Sequence, residues 1–410
     1  MIEYLAQRKG SPAGRPFGPV DRILLGVILR LAGDLRRGTL DLRMPQGETL
    51  HFTGRVPGPH GQMTLHRPGV AWKYVTNGAV GFAEAFMDGD FDSPDLATLL
   101  ELLNLNADAW GEGYYGSLPS RLMRSLHHRR NANTRRGSRR NILAHYDLGN
   151  RFFSAWLDPT MTYSAALFED GATDLESAQR AKYENLCRMI ALQPDQRLLE
   201  IGSGWGGFAL HAAGERGAKV TSVTISHAQH DMVARRVQEA GLNERIEVRL
   251  QDYREIDGRF DRIASIEMFE AVGERYWPTF FDRLRERLAP GGLAGLQIIT
   301  IADEYFEAYR RSADFIQRYV FPGGMLPSPA ALKRELGRAG LIEAGMRAFG
   351  GDYARTLGLW NARFHDAWDE LRQEGFDERF RRLWHYYLAY CEAGFRSKST
   401  DVVQLALKRA

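Results

Sequence analysis

Between residues 197 and 301 short apolar runs alternate with amphipathic runs about a dozen residues long. That rhythm constrains the fold more than any other feature. "QRLLEIG", "AKVTSVTIS", "RIEVRLQDY", "RFDRIASIEMF" and "LAGLQIITI" read as strands. "WGGFALHAAGERG", "HAQHDMVARRVQEAG" and "PTFFDRLRERLAPGG" read as helices that end on glycine. Strands joined through helices pair in parallel, with helices covering both faces. The segment therefore predicts an α/β doubly wound sheet. "DVVQLALKR" at the end of the chain is one further strand candidate.

The chain has 410 residues, which is long for a single core, so a second domain is expected. Residues 38–82 contain three short strand-like runs. "LATLLELLNLNA" follows the helix-start signal Ser93-Pro94 with helical apolar spacing. We expect a smaller N-terminal α+β domain over 1–120, a linker over 121–140 and the α/β domain over 141–410. An aromatic-rich insertion occupies 303–328. From Arg121 to Arg140 there are eight arginines, two histidines and no acid, although the net charge of the chain is only +3. The two cysteines, Cys187 and Cys391, lie in no metal-binding spacing, so no metal site is expected. "ILLGVILRLAG" is far shorter than the roughly 20 apolar residues of a spanning helix.

"LLEIGSGWGGFA" places Gly202, Ser203, Gly204 and Gly206 at the first strand-to-helix turn, where backbone approaches a ligand at the carboxyl edge of a sheet. A tight structural turn would use the same residues. A dinucleotide site wants an acid about 20 residues later; here that strand ends Thr224-Ile225-Ser226. No Lys-Ser/Thr of a phosphate loop is present. Glu200 beside the loop suits an ammonium group, and Asp252 after the third strand suits an adenine amino group. S-adenosylmethionine (SAM) carries both and no phosphate.

Several colinear segments then make a resemblance specific: "HYDLGNRFFSAWLDPTMTYSAALF", "LESAQRAKYENLCRMIALQP", "LLEIGSGWGGFA", "LQDYREIDGRFDRIASIEMFEAVG", "FIQRYVFPGGMLPS" and "FGGDYARTLGLWNARF". The chain resembles the cyclopropane fatty acid synthase family, SAM-dependent enzymes that modify unsaturated acyl chains of phospholipids. The resemblance implies that Tyr163 and Ser164 meet the methionine end of SAM. It implies that Thr224, Ile225, Ser226 and Gln229 handle the ribose, and that Asp252, Tyr253 and Arg254 read the adenine. Glu270 matches a glutamate that helps hold a bicarbonate, the base of that family. The rest of that pocket departs from the pattern. Its cysteine is Ala165 here, its histidine is Gln297 and its tyrosine is Asn361, while Ile299 is kept. Three of five side chains differ, which weakens the carry-over of bicarbonate.

Methyl transfer to an alkene leaves a carbocation, which needs negative charge or aromatic faces beside it and a base to take a proton. Glu270 and Glu267 are the candidate carboxylates, with Gln297 in the altered base pocket. Tyr305 and Tyr309, with Phe315 and Tyr319, are candidates for the cation or the acyl tunnel, or else ordinary core aromatics. Proton loss from the added methyl carbon closes a cyclopropane. Loss from a neighbouring chain carbon leaves a methyl- or methylene-branched alkene, which a partner redox enzyme can reduce. The rebuilt pocket inclines toward the branched product. A ring-forming synthase, a methyltransferase on another acceptor and an inactive lipid-binding homologue are the competing readings. The Arg121–Arg140 run is read as a patch for an anionic phospholipid surface rather than nucleic acid, because no aromatics interleave it. We expect a homodimer in the cytoplasm, peripheral at the inner membrane face.

Overall fold

The computed structural model of the protein describes residues 19–110, 148–169, 171–311 and 314–410. The arginine run expected to meet a membrane, Arg121–Arg140, lies outside the described residues, as does the linker assigned to it. Among the described residues no helix is long and apolar enough to cross a membrane.

The chain divides into two compact units. In the first, β1 (Arg37–Arg43), β2 (Thr49–Thr53), β3 (Val56–Leu65) and β4 (Phe91–Asp92) form a sheet in the order β2-β1-β3-β4. The helix Leu96–Leu105 begins two residues later than Ser93-Pro94 signals. Asp95 is its N-cap, accepting from the Thr98 amide at 3.0 Å and the Thr98 hydroxyl at 2.7 Å.

The expectation of one C-terminal domain over 141–410 needs correction, because residues 375–397 belong to the first unit. The helix Glu378–Arg396 packs there against Leu96–Leu105 and Gly69–Met87. The reason is local chemistry: Arg382 donates to the carbonyls of Phe86 (2.5 Å) and Phe91 (2.8 Å), pairs with Asp92 at 2.7 Å and lies over the Phe86 ring.

The second unit is built on seven strands. They are β5 (Arg197–Ile201), β6 (Lys219–Thr224), β7 (Ile246–Leu250), β8 (Phe260–Ile266), β9 (Leu288–Ile301), β10 (Leu341–Ala348) and β11 (Thr400–Arg409). Their order is β10-β11-β9-β8-β5-β6-β7. β9, β8, β5, β6 and β7 run parallel, β11 pairs antiparallel with β9, and β10 pairs antiparallel with β11, so β11 alone is reversed in this sheet. From β5 the chain moves outward to β6 and β7, then returns to β8 on the other side. That reversal opens a crevice at the carboxyl ends of β5 and β8, where such sheets bind ligands. The interior is aliphatic: Leu198, Leu199, Ile263, Leu296, Ile298 and Leu407 are buried. The helix read as running to Gly292 stops at Arg287, and β9 begins at Leu288. Pro290 cannot continue a helix, and the residue before a proline favours extended backbone.

Candidate active site

The cofactor edge is assembled from neighbours in sequence. Gly202, Gly204 and Gly206 all take positive φ (93°, 48° and 87°), a region that costs other L-residues about 1–2 kcal/mol. They differ in what a side chain would meet. At Gly202 a Cβ would approach the Met268 side chain, and at Gly206 the Val233 side chain. At Gly204 it would meet nothing within 4 Å. Gly204 therefore borders open space at the crevice, which fits a cofactor lying against backbone. Ser203 is buried in the same loop, and its amide donates to the Val223 carbonyl (3.2 Å).

Glu200 is buried beneath the loop and accepts from the Ser222 hydroxyl. Burial pushes its pKa up to about 8, with the Ser222 hydrogen bond pulling the other way. Beyond β6, the Thr224 hydroxyl donates to Gln229 Oε1 (2.9 Å) and accepts from the Ser226 amide (3.1 Å). Ser226 caps the helix His227–Glu239, and Ile225 sits between them half-buried. Past β7, Asp252 accepts from Arg254 Nε (2.8 Å) and Nη2 (2.5 Å), and from the Arg254 amide. Tyr253 packs against Phe280, and burial raises its phenol to about 12. The residues assigned to ribose and adenine thus lie at the ends of β6 and β7, on the same edge as the glycine loop.

The other half of the site is assembled across the chain. Glu267, one residue past β8, has φ +47°, which is uncommon for a side chain of this kind. Backbone strain of this sort concentrates at functional sites. Its Oε1 accepts from the Ala165 amide (2.8 Å) and from Gln297 Nε2 (2.7 Å), and its Oε2 accepts from the Tyr353 hydroxyl (2.7 Å). Three donors on one carboxyl favour the ionised form, because a protonated carboxyl would need an acceptor in return. Burial acts in the opposite direction and raises the Glu267 pKa, opposed by Tyr353, the Ala165 amide, the charge of Lys182 and Gln297.

Glu270 differs. Its Oε1 accepts from the Ile299 amide (2.6 Å), and its Oε2 is buried without a hydrogen-bond partner. Burial and then the charge of Glu267 push its pKa up to about 8. Two nearby carboxyls with different environments can divide the duties of base and electrostatic partner.

Lys182 completes this half. It is fully buried on the helix Leu175–Met189 and donates to the Ser164 hydroxyl (2.6 Å). Burial drives its pKa down to about 7, opposed by Glu267 and Asp158. Gln179 holds the Ser164 carbonyl from the same helix (2.8 Å). Tyr163 lies in an aromatic enclosure, with ring centroids 5.3 Å from Phe153, 5.5 Å from Trp156 and 5.3 Å from Trp360.

Some expected residues sit elsewhere. Tyr305 and Tyr309 pack at the edge of the sheet core, and the Tyr309 hydroxyl accepts from the Leu326 amide (3.3 Å). Phe315 belongs to the first unit, against Tyr386 at 4.8 Å. Tyr319 lies under the Arg318 guanidinium. The aromatic that reaches a candidate carboxylate, Glu267, is instead Tyr353, and sequence reasoning missed it along with Lys182. A lysine on an amphipathic helix reads as solvated, and a tyrosine at helical spacing reads as core.

The mycolic acid cyclopropane synthetase family matches residues 133–405. The tuberculostearic acid methyltransferase UfaA1 of Mycobacterium tuberculosis is 40% identical over 415 residues, covering 96% of this chain and 93% of that protein. The cyclopropane-fatty-acyl-phospholipid synthase of Escherichia coli is 38% identical over 265 residues, covering 65% of this chain and 66% of that protein. Mycolic acid cyclopropane synthase CmaA1, solved in complex with SAH and CTAB, superposes with a TM-score of 0.63 at 31% identity, covering 66% of this chain and 98% of its own.

Proposed function

Because this chain belongs to the mycolic acid cyclopropane synthetase family of SAM-dependent methyltransferases, we propose that it methylates the double bond of an unsaturated phospholipid acyl chain to give a branched product. The observation that carries the reading is the Glu267 carboxylate. It is held by the Ala165 amide and by Gln297, two positions where the family resemblance expects a cysteine and a histidine around bicarbonate. Tyr353, two turns before Asn361 on the helix Gly350–Asp366, supplies the phenol. A carboxylate of the chain itself thus replaces the bicarbonate.

When bound, SAM supplies an electrophilic methyl group. The Gly202–Gly206 loop and the Tyr163–Ser164 segment would hold it so that the alkene π pair takes that methyl, sulfur keeping the electrons of the carbon–sulfur bond, and the adjacent chain carbon is left cationic. Glu270 releases its proton to solvent as the positively charged cofactor binds, because a positive charge beside a raised carboxyl favours its ionised form, and its Oε2 then offers negative charge to the cationic chain carbon. Glu267 takes the proton from a neighbouring chain carbon, and the electrons of that bond form the branched alkene. A separate reductase would be the class of enzyme that consumes this alkene. The relative that aligns over 96% of the chain is named a methyltransferase, while the ring-forming synthase aligns over 65%. That difference supports the branched product.

The lipid substrate also gives the Arg121–Arg140 run its use. Each arginine near an anionic surface contributes about 1 kcal/mol, screened by salt. The test is turnover on monounsaturated phospholipid vesicles in carbonate-depleted buffer, with mass spectrometry of the esters. Addition of bicarbonate is expected to change turnover less than about twofold, against the hundredfold scale of a lost electrostatic group. Salt is expected to slow turnover on anionic vesicles. A cyclopropane product made only when bicarbonate is present would overturn the reading.

A further inference from the structure

Two fully buried glutamines lie side by side in the sheet interior, where an unsatisfied amide is costly. Gln404 of β11 and Gln297 of β9 are directly paired in register, and Arg347 of β10 is paired with Gln404 on its other side. A polar row thus crosses β10, β11 and β9, and ends at Glu267 beyond β8.

The hydrogen bonds along this row have one direction. Gln297 Nε2 donates to Glu267 (2.7 Å), and Gln404 Nε2 donates to Gln297 Oε1 (2.9 Å). Asn185 Nδ2 donates to Gln404 Oε1 (2.6 Å), and Arg347 Nη1 donates to Asn185 Oδ1 (3.5 Å). Fixed acceptors along the way permit no reversal. Gln404 Nε2 also donates to the Lys182 carbonyl (3.1 Å), and Gln297 Nε2 also reaches the Ala165 carbonyl (3.4 Å). A carbonyl only accepts and a guanidinium only donates, so each amide can satisfy its neighbours in one orientation.

We propose that Gln404 is a positioning residue for this reaction, holding Gln297 with its NH2 toward Glu267 through a one-way hydrogen-bond row anchored by Asn185 and Arg347. The proposal rests on the reading of Glu267 as the base. With Gln404 removed, Gln297 Oε1 loses its donor, and only Glu267 and the long contact to the Ala165 carbonyl still orient the amide. A less firmly held donor weakens the hydrogen bond to Glu267 and disfavours the ionised acid. The other groups that face Glu267 stay in place: Lys182 from Leu175–Met189, with Asp158 acting on that lysine, Tyr353 from Gly350–Asp366, and Glu270 from the turn after β8. Glu169 holds the far end by pairing with Arg347.

The experiment compares wild type, Gln404→Met and Arg347→Gln in two readouts. The first is the pH profile of kcat/KM on monounsaturated phospholipid vesicles. The second is an infrared titration of the Glu267 carboxyl, taken as each protein minus its Glu267→Gln counterpart. In Gln404→Met the carboxyl is expected to titrate about one pH unit higher, the small end of shifts from neighbouring groups. kcat/KM then falls about tenfold below the acid limb and recovers above it. Arg347 is 40% exposed and is the milder change; Arg347→Gln is expected to shift the limb the same way by less, even if Gln404→Met folds poorly. An unmoved infrared titration in either folded variant overturns the row, whatever its activity. A moved titration with an unmoved pH profile retains the row and instead sinks Glu267 as the base.

Discussion

The two halves of the site are built in different ways. Most of the cofactor half follows the chain: β5, its glycine loop, the end of β6 and the end of β7 all fall between Arg197 and Arg254, with Tyr163 and Ser164 added from earlier in sequence. The base half gathers Ala165, Glu267, Gln297, Tyr353 and Gln404, whose hydrogen bonds span separations of 102, 30, 86 and 107 residues. A cofactor shared by many enzymes is met by backbone and local turns. The chemistry proposed to distinguish one product from another is assigned to side chains that only the finished sheet brings together.

The sharpest way to break this comparison is to remove the base half's central charge. Glu267→Gln keeps the shape and two of the three donors' partner atoms. Loss of a positioned base costs about 10²–10⁴ in rate, so turnover on monounsaturated vesicles is expected to fall roughly a thousandfold. SAM affinity by calorimetric titration is expected to stay within a factor of about two. Among the described residues, the glycine loop and the ends of β6 and β7 make no hydrogen bond to Glu267, and Glu267→Gln keeps the acceptor for the Ala165 amide beside Tyr163 and Ser164. A full loss of SAM binding would show that the halves are one unit.

A second comparison sits within the glycine loop. Gly204 faces open space, whereas a Cβ at Gly207 would lie 2.4 Å from the Tyr183 hydroxyl. Gly204→Val is expected to weaken SAM binding at least about tenfold by filling the crevice, on top of the roughly 1–2 kcal/mol of left-handed backbone strain. Gly207→Ala is expected to cost stability instead, about 1–3 kcal/mol of overpacking, with SAM affinity less affected. Calorimetry and thermal melting separate the two. Equal loss of affinity in both variants would mean that loop packing, not contact with the ligand, sets the affinity.

The same division explains what was readable beforehand. The parallel strands fall on apolar runs because both faces of a covered sheet are buried. β10 carries no such mark: only Leu341 is buried along it, and Ile342 and Met346 stand exposed at 45% and 59%. An edge strand wet along its length has neither apolar run nor alternation. The helix Glu378–Arg396 could not be placed in the first unit from its sequence, because an apolar face does not name its partner. In the site, the glycine loop and the acids beside it were readable from spacing. Tyr353 and Gln404 were not, since each looks ordinary until the sheet places it next to Glu267.

The smallest effect concerns how the base half weighs on the fold itself. Glu270 holds its proton up to about pH 8 in the folded chain, through burial and the charge of Glu267, whereas an unfolded glutamate loses it near 4.3. Between those values the folded state binds the extra proton, so stability is highest below about pH 4.3 and declines as pH rises toward 8. Lys182, lowered to about 7, acts oppositely only above that pH, and His211, lowered to about 4 by burial, acts oppositely up to its unfolded value of about 6.5; the comparison with a substitution at 270 leaves both contributions in place. Glu200 declines over the same window and is unchanged by a substitution at 270. One group fully inside its window changes stability by about 1.4 kcal/mol per pH unit at most, and relaxation around a buried acid reduces that to roughly half. Glu270→Gln has no proton to lose. Its melting temperature is therefore expected to fall less than that of the wild type between pH 5 and 7, by a few degrees for a difference of about 1–2 kcal/mol. Parallel melting curves for the two proteins would mean that Glu270 is ionised in the resting enzyme, which would remove the asymmetry between the two carboxyls.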